Sequence, residues 1–252
     1  MIKRHVTFFL ILLSLAASEN ALAQELPSTA EIFKKMQEQW QPIRDYTVRA
    51  QIIVVSPGIR MPRMKAKIYF KKPNLYHFEA KGFAILPKEG LGVPPDRLKK
   101  WEKYARLVGK DTLNRESVYH LLVKSHRQGM PPFQIHLYVD QKTALLKKLQ
   151  MRHPGGSYMI ITFHYKKVTP VSWLPDKIVS NFNIKTTHSD SMAEKFQPKM
   201  MQGRSLFGSS FKKGTIYVYL NNYKVNIGLS DAIFKKSTQK NVPALRDKKS
   251  KK

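Results

Sequence analysis

The segment from Arg63 to Pro87 constrains the fold more than any other part of this chain, because its apolar residues recur at every second position. Apolar and polar side chains alternate from Ala66 to Phe70 and again from Tyr76 to Ala80. Such a period of two is typical of a strand with one buried and one solvated face. Pro73-Asn74 between the two runs indicates a turn. The segment therefore predicts a β-hairpin, and a curved sheet built from such hairpins can hold a lipid on its apolar face.

Most of the chain after the first fifty residues is predicted to be strand. Short runs of β-branched and aromatic residues are separated by turn sequences such as Ser56-Pro57-Gly58 and Pro154-Gly155-Gly156. Hairpin-length links favour one antiparallel meander, in a single domain of the mainly β (α+β) class. The predicted strands are Tyr46–Ser56, Arg63–Lys71, Asn74–Gly82, Ala105–Lys110, Ser117–Lys124, Phe133–Val139, Leu145–Arg152, Tyr158–Val168, Lys177–Lys185 and Gly214–Lys224.

Two helices are predicted beside the strands. Ser28 and Glu31 form the pattern of a capping box, and apolar residues follow at helical spacing as far as Ile43. Pro42 is expected to bend or end this first helix. The second, shorter helix is predicted at Pro94–Lys103. We expect the apolar stripe of the first helix to pack on the concave side of the sheet.

The first 23 residues, 1–23, have the features of a secretory signal peptide. Lys3 and Arg4 precede an apolar run of about a dozen residues, which is too short to span a bilayer. Ala21-Leu22-Ala23 matches a cleavage site, so we expect cleavage after Ala23. The folded domain is predicted at 24–234, with a long flexible loop at 188–213 and a basic disordered tail at 235–252.

The chain is strongly basic, with 45 Lys and Arg residues against 17 Asp and Glu residues and a formal charge of +28. In an exported protein this charge favours anionic lipid headgroups, an anionic membrane surface or an acidic partner protein over nucleic acid. General cationic character without a specific ligand is the alternative. The absence of cysteine excludes disulfides, thiolate chemistry and diacylation at a cleavage-site cysteine.

The sequence contains no recognisable catalytic motif. Gly156-Ser157 lies at a predicted hairpin turn, and a nucleophile elbow requires a turn from strand to helix. The eight histidines are scattered, and no pair has the spacing of a zinc site. We therefore predict neither a metal nor a cofactor, and a binding protein rather than an enzyme. An envelope hydrolase with a site assembled from distant residues remains an alternative.

Four segments carry a family pattern: EIFKKMQEQWQPIRDYT, YFKKPNLYHFEAKG, ITFHYKKV followed by WLPDKI, and YLNNYKVNIGLSDAIF. Together they resemble the periplasmic lipoprotein-carrier family, within the broader group of outer-membrane lipoprotein-sorting proteins. The resemblance extends from about Glu31 to Phe234. It implies a half-open antiparallel barrel with a helical lid over a hydrophobic cavity. It also implies a soluble periplasmic carrier that moves acylated lipoprotein, or another envelope lipid, from an inner-membrane exporter to an outer-membrane acceptor.

The resemblance also suggests where a ligand would lie. In that family, an arginine just before the Pro-Asn turn helps to latch the lid, and Lys72 has this position here. We expect acyl chains to contact seven inward-facing residues: Val48, Ile52, Ile68, Phe70, Phe78, Ile161 and Val218. A regulatory module that uses the same cavity to sense lipid or lipoprotein is the alternative to a carrier.

Overall fold

Eleven strands form one antiparallel sheet in a computed structural model that describes residues 26–80, 93–125, 133–153, 155–185 and 212–239. The strands are β1 (Asp45–Ser56), β2 (Ile59–Arg60), β3 (Met64–Lys71), β4 (Leu75–Ala80), β5 (Ala105–Leu113), β6 (Glu116–Ser125), β7 (Phe133–Asp140), β8 (Leu146–Arg152), β9 (Tyr158–Thr169), β10 (Ser172–Asn183) and β11 (Lys213–Val225). The helices are α1 (Thr29–Glu38), α2 (Pro95–Glu102) and α3 (Ala232–Gln239).

The sheet joins two meanders in the order β4-β3-β1-β11-β10-β9-β8-β7-β6-β5, and the short β2 pairs with β1 outside this path. Strands β5 to β11 follow one another as neighbours, whereas β1 lies between β3 and β11. The pairing of β1 with β11 joins the beginning of the domain to its end, so the predicted single meander was wrong: a local pattern does not show which distant strands pair. Strands β4 and β5 are the two edges, so the sheet does not close into a barrel. The predicted mainly β fold with a half-open sheet is confirmed.

Helix α1 begins with the predicted capping box. The backbone N–H of Glu31 donates to Ser28 Oγ at 3.2 Å, and the backbone N–H of Ser28 donates to Glu31 Oε2 at 2.7 Å. The helix ends at Glu38, and turns occupy the residues up to Pro42. The helix is thus shorter than the apolar spacing suggested, in keeping with the effect expected of proline.

Both N-terminal helices cover the same face of the sheet, which we call the inner face. Ile32, Phe33 and Met36 of α1 and Leu98 of α2 are buried in one core with the inner residues of the strands. The predicted packing of the first apolar stripe against the sheet is observed. Within the described residues, no helix is both long and apolar enough to cross a membrane.

Helix α3 lies on the opposite face, which we call the outer face. Its Phe234 forms a small second core with Leu229 and with Tyr69 of β3. Lys71 Nζ donates to Asp231 Oδ1 at 2.6 Å and to the Leu229 carbonyl at 2.8 Å, which ties the segment before α3 to β3. The helix continues to Gln239, past residue 235, where a disordered tail was predicted.

Strand β10 begins at Ser172, whereas the sequence pattern suggested a start at Lys177. The difference arises at Pro175, because proline normally argues against a central strand. Here the pairing of β10 with β9 shifts register between Pro175 and Lys177, and a bulge of this kind accommodates the missing amide donor. The predicted signal peptide, most of the predicted loop at 188–213 and residues 240–252 lie outside the described residues.

Candidate functional site

The inner face is apolar across almost the whole width of the sheet. One line of direct cross-strand neighbours crosses eight strands, and Ser180 is its one polar member. The line consists of Leu107, Leu121, Leu137, Leu149, Ile161, Ser180, Ile216 and Val54. Because neighbours in such a line face the same side of a sheet, local alternation in each strand produces one continuous apolar surface.

All seven residues predicted to contact lipid lie on this inner face. Val48 pairs with Ile68, which in turn pairs with Phe78, so these three form a line across β1, β3 and β4. Ile52 pairs with Val218 across β1 and β11. The other two predicted residues are Phe70, beside Tyr46, and Ile161, in the line described above. Phe78 is half-buried and the other six are buried, so the structure places the set together in the core. Their contact with lipid stays a prediction.

Aromatic side chains gather at one end of the inner face, near the last turn after α1. The ring of Phe70 lies 5.5 Å from that of Trp40, 5.0 Å from that of Tyr46 and 4.9 Å from that of Tyr76, measured between centroids. Tyr46 also meets Tyr223 edge to face at 5.5 Å. Burial raises the pKa of the Tyr46 hydroxyl above its usual value, in keeping with its position inside the core.

Helices α1 and α2, which we call the helical cover, are held to the edges of the sheet by hydrogen bonds. Thr29 Oγ1 accepts a hydrogen bond at 3.1 Å from the amide of Leu107 in edge strand β5. At the opposite edge, Asn74 Nδ2 in the β3–β4 turn donates to Asp96 Oδ2 of α2 at 3.0 Å. The two helices are joined to each other by Gln37 Nε2, which donates to Glu102 Oε2 at 3.3 Å. The Asn74–Asp96 contact is exposed and the other two are partly buried.

Lys72, the predicted latch residue, makes a contact of the kind the resemblance implies. Its Nζ donates to the carbonyl oxygen of Gln41, just after α1, at 3.1 Å. Partial burial lowers the pKa of this amine from its usual value. A lysine places one point charge at the carbonyl, whereas an arginine would offer a fork of several donors. The latch role itself stays a prediction.

A cleft opens where the helical cover meets β9, β10 and the β7–β8 turn. The open space between these elements is about 450 Å³ with solvent at the mouth included, and the part that can hold a water-sized molecule is about 30 Å³. None of the seven predicted lipid contacts lines it, and six of the seven are buried in the core. The lining is almost entirely apolar and consists of Met36, Gln39, Trp40, Val93, Leu98, Ala144, Leu145, Leu146, Tyr165, Trp173, Leu174 and Pro175.

The structure also brings together two histidines that the sequence pattern had left apart. His120 Nε2 and His136 Nδ1 lie 2.8 Å apart on the outer face, where one ring nitrogen donates to the other. The period-two alternation indicates that each histidine lies on the outward side of its strand. The register that joins them required the structure. Among the described residues no group of three or more histidine and carboxylate side chains could hold a metal ion.

Comparison with solved structures places this architecture among known folds. The sheet aligns with a LolA superfamily protein from Nitrosomonas europaea at a TM-score of 0.52 and 11% identity, over 84% of this chain and 100% of the other. The chain has the fold of the LolA superfamily.

Two other solved structures support the same assignment of fold. A putative outer membrane lipoprotein-sorting protein domain from Vibrio parahaemolyticus aligns with a TM-score of 0.53 and 11% identity, over 84% of this chain and 97% of its own. A DUF1329 family protein from Desulfovibrio piger gives a TM-score of 0.53 and 10% identity, over 84% and 99%. No protein-family model matches this LolA-like chain, and no curated protein matches it.

Proposed function

We propose that this LolA-like protein is a soluble periplasmic carrier that holds acyl chains of a lipoprotein or other envelope lipid on its inner face. The observation that carries the proposal is the line of apolar neighbours across eight strands, beneath a cover that rim hydrogen bonds hold in place. A sheet with this surface needs an apolar cover, and an acyl chain can take the place of the helices. The cleft beside Trp40 and Trp173 marks the place where the cover would part to admit the chain end.

The energetics favour exchange between helices and lipid over permanent binding. Each methylene that enters the inner face contributes roughly 0.8 kcal/mol. Displacing the cover exposes Ile32, Phe33, Met36 and Leu98, and each fully buried side chain of this size is worth about 1.5–3 kcal/mol. An acyl chain of ordinary length therefore offsets the loss of the helix contacts with a modest surplus. A carrier requires such a balance, because it must also release its cargo.

Lys72 fits a latch that opens readily. Its ammonium group makes one hydrogen bond to the Gln41 carbonyl, and that bond lies in an exposed position. A single partly solvated hydrogen bond contributes about 0.5–1.5 kcal/mol to stability. The donor would be an inner-membrane exporter and the acceptor an outer-membrane protein, with export directed by the signal peptide at 1–23. These partners follow from the family resemblance alone.

Native mass spectrometry of protein purified from the periplasm tests the proposal. We expect bound acylated lipid in the wild type and its loss in Phe78→Glu, which puts a charge on the half-buried inner position of edge strand β4. Val108→Glu is the matched control, because Val108 lies in the other edge strand, β5, and is 47% exposed. Circular dichroism must show that both variants are folded.

Incubation of the lipid-loaded protein with acceptor vesicles separates the three candidate functions of carrier, sensor and enzyme. Lipid that passes from the loaded protein to acceptor vesicles supports a carrier, and lipid that stays bound without transfer supports the sensing alternative. Release of a cleaved lipid product would indicate a hydrolase. Absence of lipid from the folded wild type, or normal loading of folded Phe78→Glu, would contradict a role for the inner face.

A further inference from the structure

We propose that the outer face of strands β6 to β11 is a docking surface for the anionic headgroups of a phospholipid bilayer. This surface lies on the side of the sheet opposite the acyl-binding face of the proposed carrier. We call it the outer basic face and define it by the outward cations of these strands: Lys124, Lys148, Arg152, Lys177 and Lys213. It concerns membrane attachment and does not depend on the nature of the cargo.

Cross-strand pairing gathers these cations into one area. Arg152 pairs with Gln134, which pairs with Lys124 across β7 and β6. In the other direction, Arg152 pairs with Tyr158, and the line continues through Asn183 to Lys213 of β11. Cations from four strands therefore face the same side of the sheet. In the chain they are far apart, since Lys124 and Lys213 are separated by 89 positions.

Acidic groups that could neutralise this area are almost absent from it. Among the outward residues of β6 to β11 that the structure describes in cross-strand pairs, the carboxylates are Glu116, which forms an ion pair with Lys147 at 2.9 Å at the start of β6, and Asp140 at the end of β7. Asp140 Oδ1 accepts hydrogen bonds from the amide and the hydroxyl of Thr143, both at 2.7 Å, and so turns towards its own loop. The ion pairs described in the chain, such as Lys71 with Asp231 and Lys147 with Glu116, involve none of the five cations.

The aromatic rings on this face favour a lipid headgroup over a ligand that binds by stacking. His120 stacks on the ring of Tyr138 at 4.8 Å, and Lys148 Nζ lies 4.6 Å from the same ring. Lys177 Nζ lies 5.8 Å from the ring of Tyr219. Nucleic acid bases and sugars need free aromatic faces, and these rings already have cation or imidazole neighbours. The ammonium groups keep hydrogen atoms for phosphate oxygens.

Exposed tyrosine and valine side chains lie on the same face as the cations. Tyr158 is 39% exposed, Tyr219 is 36% exposed, and Val55 extends the same face onto β1 with 55% exposure. Tyrosine is favoured at the boundary between lipid and water, since its ring enters the headgroup layer and its hydroxyl stays wet. Cations beside such residues are attracted to anionic lipids, and salt screens the attraction. The composition of the outer basic face therefore matches a bilayer surface.

Vesicle flotation with the full mature chain tests the docking surface. We expect binding to vesicles of phosphatidylglycerol mixed with phosphatidylcholine, little binding to phosphatidylcholine alone, and loss of binding at high salt. The triple variant Lys148→Gln, Arg152→Gln and Lys177→Gln should lower vesicle affinity by about 100-fold at low ionic strength. Lys34→Gln, Lys99→Gln and Lys103→Gln remove the same charge from exposed positions on or beside α1 and α2 and form the matched control.

Each outcome bears on the proposal. A control variant that binds nearly as well as the wild type supports a located surface, whereas equal loss in both triple variants would reduce the effect to net charge and overturn it. Tighter binding to duplex DNA than to the mixed vesicles at the same salt would also overturn it, in favour of nucleic acid. Native mass spectrometry of the outer-face variant should still show bound lipid, so failure of docking and failure of the carrier proposal are distinguishable.

Discussion

His120 Nε2 lies 2.8 Å from His136 Nδ1, and this hydrogen bond joins two outward-facing side chains of neighbouring strands. Burial lowers the pKa of both imidazoles below the usual value. The positive charge of nearby Lys148 lowers both pKa values further, because it disfavours a protonated ring beside it. In the unfolded chain the histidines bind protons near pH 6.5. Because the unfolded state binds more protons, this pair adds stability above about pH 6.5 that is lost as pH falls through the lower folded pKa values.

Urea unfolding at several pH values between about 5 and 7 measures this effect. We expect the wild type to be more stable at the upper end, and His120→Gln with His136→Gln to flatten this part of the profile. His164→Gln, at an exposed position on the same face, is the control. An unchanged profile in the double variant would show that the pair has no protonation linkage to folding.

Lys72 and the Gln41 carbonyl provide a second prediction, on the motion of the helical cover. Lys72→Ala removes the 3.1 Å hydrogen bond and should lower the free energy of unfolding by about 0.5–1 kcal/mol. Lys72→Arg should restore the contact or strengthen it, since guanidinium offers more donors. Hydrogen exchange of the α1 amides measures the result. Faster exchange in Lys72→Ala and exchange at or below the wild-type rate in Lys72→Arg is expected, and equal exchange in all three would contradict the latch.

Asp45 provides a third prediction, because its buried carboxylate holds the chain after β11. Oδ1 accepts from the amide of Ile227 at 2.8 Å, and Oδ2 accepts from the amide of Gly228 at 3.1 Å. Asp45→Ala leaves both donors without their partner and should cost about 2–4 kcal/mol. Asp45→Asn keeps one acceptor and should cost less. Chemical unfolding measures both, and equal stability of Asp45→Ala and the wild type would show that water satisfies these amides.

Gly214 provides a fourth prediction, on the pairing of β11 with β1. A Cβ atom at this position would lie 2.6 Å from the Val55 carbonyl oxygen, so backbone must move to admit it. Gly214→Ala should therefore destabilise the protein by about 1–3 kcal/mol, the usual cost of overpacking. Lys213→Ala, the preceding residue, is the control, because its side chain is exposed and the change adds no atom near the Val55 carbonyl. Thermal unfolding of the two variants tests the difference, and similar midpoints would rule out the close approach.

Local sequence determined the features that depend on neighbouring residues. The Ser28–Glu31 capping box spans three residues, and the hairpin around Pro73 needs a turn between two alternating runs. Because a strand places successive side chains on opposite faces, alternation also predicted the inner position of residues such as Ile68 and Val218. The apolar face of the sheet was therefore predictable before its neighbours were known.

Tertiary structure decided how these local pieces meet. Asp45 reaches an amide 182 residues away, and the pairing of His120 with His136 depends on the register of β6 and β7. A local pattern cannot distinguish such registers, because alternation is satisfied by any shift of two residues. The total charge and the apolar positions could be read from the sequence, because neither depends on strand order. Strand order then gathered the cations on one face, and the helical cover packed on the other.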